Sequence, residues 1–244
     1  MLICLDADTR TGVYAGCMYQ EYIQLQQNLG HRLGPASVTG NGISYLVGRL
    51  SYTFNLTGPC ISTDTACSSS LVSLAQAHAS LAAASRQQAA LAAGVNAMLL
   101  PSTSAAISSL GALSPEARCK TFDATADGYG RGEGFSVAML ATREALLEAA
   151  WSGLALVRSA GVNQDGRSGS LTAPNGPSQT ALVVGVLRAA ALSASSLRLV
   201  SLHGTGELLC LKSTAMRAIE LLPQLHLSGR VSNMQARRWG TQLR

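Results

Sequence analysis

The chain has 244 residues, of which 47% are hydrophobic, 13% charged and only 5% aromatic, with 24 glycines. Soluble domains average roughly 25% charged residues, so this composition excludes wholesale disorder and points to an aliphatic core packed through small side chains. The net charge of +5 carries no nucleic-acid footprint, because Arg230, Arg237, Arg238 and Arg244 crowd the C-terminal tail and no basic stripe is interleaved with aromatics.

A length of 244 fits one large domain or two small halves. No membrane span is expected: the apolar stretch over 89–100 is interrupted by Gly94 and Asn96 and falls short of the roughly 20 residues that a bilayer requires. The start carries Asp6 and Asp8 where a secretory leader has a basic flank and an apolar run, so the default location is the cytoplasm. The six cysteines form no C-x-x-C pair and have no histidine at metal-ligand spacing, which predicts reduced thiols rather than a zinc site or a disulfide framework.

In chain order, short apolar runs bounded by Gly, Pro, Asn or Asp predict strands over 12–17, 59–65, 90–99, 135–140, 154–160 and 197–203. A tight turn is expected before Ser51-Tyr-Thr-Phe54. Helical spacing predicts helices over 68–84 (Leu71, Leu74, Ala75, Leu81), 142–151 (Leu146, Leu147) and 178–192 (Leu182, Val186, Leu187). Gly, Asp and Asn accumulate without an apolar period over 121–134 and 161–177, which read as long polar loops. Strands alternating with helices favour a layered α/β architecture.

The run Pro59-Cys-Ile-Ser-Thr-Asp-Thr-Ala-Cys67-Ser-Ser-Ser-Leu71 puts Cys67 where a predicted strand stops and a helix begins. The first amides of a helix lack intrahelical partners and carry about half a positive charge, so a thiol there is expected to ionise more readily than usual. The same amides suit an oxyanion formed when a thiolate attacks a carbonyl. Nucleophilic catalysis also needs a partner group. His203 lies at a predicted strand end in Val200-Ser-Leu-His-Gly-Thr-Gly206, flanked by glycines that let backbone approach a ligand. His31, His78 and His226 sit in plainer surroundings. Taken alone, Cys67 and His203 also generalise the nucleophile-base pair of a cysteine hydrolase, a much weaker reading because no orienting Asn or Asp is placed by the sequence.

Four ordered motifs carry a resemblance. Asp64-Thr-Ala-Cys-Ser-Ser-Ser-Leu71 resembles the nucleophile motif of the β-ketoacyl synthase (ketosynthase) domains of modular type I polyketide synthases. Arg118-Cys-Lys-Thr-Phe-Asp-Ala-Thr-Ala-Asp-Gly-Tyr-Gly-Arg-Gly-Glu-Gly134 resembles their Gly-rich loop. Ser159-Ala-Gly-Val-Asn-Gln-Asp-Gly166 with Leu171-Thr-Ala-Pro-Asn-Gly-Pro-Ser-Gln179 resembles a third signature, and His203-Gly-Thr-Gly206 the first histidine motif.

The resemblance implies a thiolase-like layered α/β/α/β/α sandwich, here incomplete and mostly the N-terminal half, that is usually homodimeric. It implies a β-ketoacyl synthase-like acyltransferase of polyketide or fatty acid biosynthesis. Cys67 would accept an acyl group from the phosphopantetheine arm of acyl carrier protein for decarboxylative Claisen condensation with a malonyl unit. His203 would stabilise the enolate oxygen, Thr205 would lie near the pantetheine arm, and no cofactor or metal would be held tightly.

The pattern departs from the family after Gly206: Glu207 stands where a second threonine is expected, and neither the Gly-Asp-Pro segment nor the Lys and Asn-x-Gly-His motif that supplies a second histidine is present. The first strand and helix of the family precede the region matching 12–20. The chain thus reads as a ketosynthase truncated at both ends, with a partial domain over 1–207, a divergent tail over 208–244, and apolar faces left exposed. The alternative reading is a catalytically silent relative that binds carrier protein or serves as a scaffold.

Overall fold

The computed structural model describes residues 10–83, 87–171 and 173–205, and the backbone of 226–227. The predicted tail over 208–244 therefore lies outside the described residues apart from that backbone. In chain order the elements are β1 (Gly12–Cys17), α1 (Glu21–Asn28), α2 (Pro35–Asn41), α3 (Ile43–Phe54), β2 (Cys60–Thr63), α4 (Ser69–Ala82), β3 (Ala89–Asn96), α5 (Pro101–Ser109), β4 (Gly134–Ala141), α6 (Arg143–Glu148), α7 (Gly176–Ala189), β5 (Leu199–Val200) and β6 (His226–Leu227). They fall into two compact units, one built from residues up to Pro101 with Gly132–Ala160, the other from Ser102–Arg131 with the residues from Gly161 onward.

The first unit is organised by a four-stranded sheet in the order β2-β1-β3-β4. β1 pairs in parallel with β2 on one side and β3 on the other, and β4 closes the sheet antiparallel to β3, with Ala92 opposite Ala138. A central parallel strand is covered on both faces, which is why β1 reads as a nearly unbroken apolar run. Alternate residues serve the two faces. Val13 and Ala15 pack with Val47, Leu56, Leu46 and Leu50 from α3 and its exit, while Tyr14 packs with Ala77, Leu74 and Leu81 of α4. Val13 is fully buried, a burial that contributes about 1.5–3 kcal/mol. Two helices sandwiching one sheet give this unit three layers.

Three sequence expectations are corrected. Ser51–Phe54 is the end of α3, a continuous helix, rather than a segment entered by a tight turn. Its Ile43, Val47, Tyr45 and Gly48 are modest helix formers, and helix wins because Leu46, Val47 and Leu50 pack against the sheet. Residues 154–160 form no strand: among the described residues no strand pairs with them, and Leu154 and Leu156 stand exposed, so the backbone has no ladder to join. The predicted strand over 197–203 shrinks to Leu199–Val200, paired in parallel with β6.

Helices α1, α2, α3 and α5 were not expected: α1, α2 and α5 carry little apolar periodicity, whereas α3 does place Ile43, Leu46, Val47 and Leu50 at helical spacing. α5, rich in Ser and Thr, starts just after Leu99 and Leu100, whose amides both donate to the buried Glu21 carboxylate at 2.6 and 2.7 Å. On β4, Phe135 and Val137 are exposed. No helix among the described residues is long and apolar enough to cross a membrane.

Candidate active site

Cys67 follows β2 by four residues and precedes Ser68, the N-cap of α4. The turn between them is tight. Ser68 N–H donates to Thr65 O and Ser69 N–H to Ala66 O, and Ala66 sits at φ 56°. A left-handed backbone costs an alanine energy, and such strain concentrates where side chains must be aimed. Ser69 locks the turn from within: its Oγ accepts from Thr65 N at 2.8 Å and donates to Ala66 O at 2.6 Å. Ser69 is buried, whereas Cys67 is exposed. The serines after the cysteine therefore divide their roles, Ser69 bracing the turn while Ser68 Oγ donates to Thr65 O. Asp64 contributes as well, its Oδ1 accepting from Ala66 N at 3.0 Å.

What seats this turn is the absence of two side chains in the sheet below it. A Cβ added to Gly16 of β1 would press on the Ser69–Ser70 peptide, 2.5 Å from Ser70 N, and one added to Gly94 of β3 would lie 2.5 Å from Ser70 Cβ. Both glycines sit near the C-terminal ends of parallel strands, the end at which α/β sheets place their ligands. Gly16→Ala has only backbone to push against, so it is expected to cost about 1–3 kcal/mol and to shift the first turn of α4. Urea unfolding followed by circular dichroism checks the first effect, and the alkylation rate of Cys67 the second.

Cys17 at the end of β1 provides a contrast. Burial, and then the negative charge of Asp64, push its thiol above the ordinary cysteine value, which disfavours the thiolate. Among the described cysteines, Cys17, Cys60, Cys67 and Cys119 carry no disulfide.

His203 and Thr205 belong to the second unit, in an irregular segment that leaves β5 after Val200. His203 is exposed and Thr205 half-buried. Gly204 between them has φ 60°, and its carbonyl accepts a hydrogen bond from Thr121 Oγ1. The Gly-rich motif thus meets the histidine motif inside one unit. Gly206, the last residue of that motif, lies outside the described residues. His31 and His78 are placed on a connection and on α4, and His226 contributes backbone to β6.

The Gly-rich loop is cross-braced around Thr121. Lys120 Nζ bridges Asp127 at 2.8 Å and Glu116 at 3.4 Å, and Asp123 Oδ1 accepts from both Thr125 N and Thr125 Oγ1. The hydrogen bond to Asp127 raises the Lys120 ammonium above its ordinary range; Lys120, then Ser114, hold Asp127 below the carboxylate range, and the Thr125 amide does the same for Asp123.

The two signs give opposite edges. The depressed carboxylates stabilise the loop above their unfolded pKa and lose that stabilisation as pH falls through the folded one, while Lys120 stabilises below its unfolded pKa and loses it as pH rises through the raised value. Amide exchange at Asp123 and Ala126, corrected for intrinsic rates, is expected to show constant protection from neutral pH down into the ordinary carboxylate range, and loss only below it.

The third signature is a capping platform. Asn175 caps α7 by accepting from Ser178 N, and Asp165 in turn accepts from Asn175 N through its side chain and from Asn175 Nδ2 through its carbonyl. Asn163 Nδ2 donates to Ser178 O at 2.8 Å. Polar residues of the predicted loop over 161–177 are therefore occupied in starting a helix. Sequence reasoning missed Gly16, Gly94 and Thr121; only the two glycines left a signal, each interrupting an apolar strand near its C-terminal end. Among the described residues no three His, Cys, Asp or Glu side chains gather as a metal site.

Comparison with known proteins matches this arrangement to one family. The model for the β-ketoacyl synthase N-terminal domain matches residues 4–145, and that for the C-terminal domain residues 154–210. A phenolphthiocerol/phthiocerol polyketide synthase protein of Mycobacterium tuberculosis is 43% identical over 203 residues, covering 81% of this chain and 9% of that protein. A spectinabilin polyketide synthase system protein of Streptomyces orinoci is 45% identical over 202 residues, covering 81% of this chain and 5% of the relative.

Among solved structures, an oxazolomycin ketosynthase domain of Streptomyces albus superposes with a TM-score of 0.79 at 32% identity, covering 86% of this chain and 37% of its own. The ketosynthase from module 6 of the bacillaene synthase of Bacillus subtilis superposes with a TM-score of 0.72 at 30% identity, covering 89% and 38%. The chain thus spans under a tenth of these curated relatives and little more than a third of these solved ketosynthases. With both domain models matched in order and the fold shared, the chain belongs to the β-ketoacyl synthase family, among the ketosynthases of modular polyketide synthases, and carries part of their thiolase-like α/β fold.

Proposed function

We propose that this chain is an acyl-accepting ketosynthase in which Cys67 is the nucleophile. The observation that supports this most directly is the braced turn between β2 and α4, which holds an exposed thiol at the start of a helix. In the first step the Cys67 thiolate attacks the thioester carbonyl of an acyl group on the phosphopantetheine arm of acyl carrier protein. The Cys67 S–C bond forms, the pantetheine C–S bond breaks, and the pantetheine sulfur leaves as thiolate and is protonated.

In the second step a malonyl thioester loses carbon dioxide, the electron pair of the broken C–C bond becomes an enolate, and the enolate carbon attacks the Cys67 thioester, releasing the cysteine sulfur. Dividing the condensation in this way replaces one hard step with two easier ones. His203 donates a hydrogen bond to the enolate oxygen as charge develops there, and Thr205 lies along the pantetheine arm. The catalytic portion is 1–207 with 208–244 a divergent tail. The protein works as a homodimer with acyl carrier protein, in the cytoplasm, and without a tightly bound cofactor.

Incubation of the chain with an acyl-pantetheine thioester, followed by peptide mass spectrometry, tests this reading. The expected result is one acyl mass on the peptide holding Cys67. A Cys67 that reacts with iodoacetamide but takes up no acyl group would overturn it. Retained carrier-protein binding in the Cys67→Ala variant, without malonyl decarboxylation by the native chain, would instead support the silent scaffold.

A further inference from the structure

We infer that Thr121 is a positioning residue for His203, holding the His203-Gly204-Thr205 segment through the hydrogen bond from its hydroxyl to the Gly204 carbonyl. The inference rests on the role proposed above for His203 and concerns two segments of the same unit. The strand that carries His203 gives out early. β5 ends at Val200, so the ladder with β6 stops three residues before the imidazole. Beyond the end of the strand, the direction in which a side chain leaves the backbone depends on what fixes that backbone.

The tie is the Thr121 Oγ1 bond to Gly204 O, the carbonyl next after that of His203. It is shape-matched as well as polar. Gly204 takes φ 60°, a conformation that favours glycine, and a Cβ added there would lie 2.9 Å from Thr121 Cγ2 and 3.0 Å from Thr121 Oγ1. The threonine methyl and hydroxyl therefore occupy the space that any side chain at 204 would need.

A donor can position its partner only if it is itself fixed, and Thr121 is fixed from both sides. Lys120 before it is tied to Glu116 and Asp127. Phe122 after it adopts φ 63°, and Asp123 N–H donates to Lys120 O at 3.0 Å, closing a turn around Thr121. The Gly-rich motif thereby supplies a rigid arm whose end is a single hydroxyl set against the backbone next to His203.

The test compares Thr121→Val, which keeps shape and loses the donor, with Thr121→Ser, which keeps the donor, both in the full chain. Two readouts are taken. One is malonyl-thioester decarboxylation set against Cys67 acylation, and the other is the imidazole Cε1–H resonance of His203, assigned with His203→Gln. In Thr121→Val, decarboxylation is expected to fall about tenfold with acylation changed less than twofold, and the His203 resonance to broaden or split while those of His31 and His78 hold. Thr121→Ser should restore both to within about threefold of native.

An unchanged resonance and rate in Thr121→Val overturns the inference, as does equal loss in both variants, which would mean packing rather than donation. Should the native chain not decarboxylate at all, the proposed activity fails while the resonance still decides whether Thr121 orders His203.

Discussion

Cys67→Ala is expected to reduce acyl uptake from an acyl-pantetheine thioester at least about a thousandfold, to the level of nonspecific labelling, because loss of a nucleophile removes the covalent route altogether. The fold should barely notice. Cys67 is exposed, so truncating it leaves no buried cavity, and the Ser69 and Asp64 hydrogen bonds that brace the turn remain. Unchanged urea unfolding alongside absent acylation, measured by intact-protein mass spectrometry, is the expected pair of results. Acylation that persists in Cys67→Ala would move the nucleophile elsewhere.

His203→Ala addresses the other half of the reaction. Removal of a hydrogen-bond donor aimed at a developing oxyanion costs about 2.7–4 kcal/mol, or roughly a hundred- to thousandfold in rate. That loss should fall on decarboxylation of a malonyl thioester, followed as carbon dioxide release, while acylation of Cys67 changes little. His203→Asn, which retains a donor, is expected to keep part of the activity. Equal losses in both steps would mean that His203 acts on Cys67 itself, as in the nucleophile-base pair of a cysteine hydrolase. The two variants together therefore separate the enolate role from a general-base role.

The strands β1, β2, β3 and β4 were legible because each is a short apolar run closed by Gly, Pro or Asn, and α4, α6 and α7 because leucines and alanines recur at helical spacing. The helices between β1 and β2 were not. α1 is mostly polar and α2 contains Pro35 and Gly40, while in α3 the β-branched and aromatic residues, whose local preference does not favour a helix, mask the helical spacing of Ile43, Leu46, Val47 and Leu50. α3 forms because the open face of β1 is covered by its Val47, Leu46 and Leu50. The run over 154–160 failed in the opposite direction: its composition suits a strand, but a strand exists only where another offers it hydrogen bonds.

At the candidate site, the residues proposed to carry the chemistry, Cys67 and His203, could be singled out from residue type and from their places at predicted element ends. Their supports could not. Gly16 matters through a close approach to Ser69 and Ser70, and Thr121 through a bond to a carbonyl 83 residues away, contacts that no local window contains.

The amino-acid order alone determined the family, through four motifs in sequence, and with it the candidates proposed as nucleophile and partner, since those depend on which side chains are present and what precedes and follows them. Tertiary structure decided which helices form, which apolar run stays unpaired, how the Cys67 turn is seated over Gly16 and Gly94, and what ties down the backbone beside His203. Each of those outcomes depends on space and partners supplied by distant parts of the chain, which local sequence does not encode.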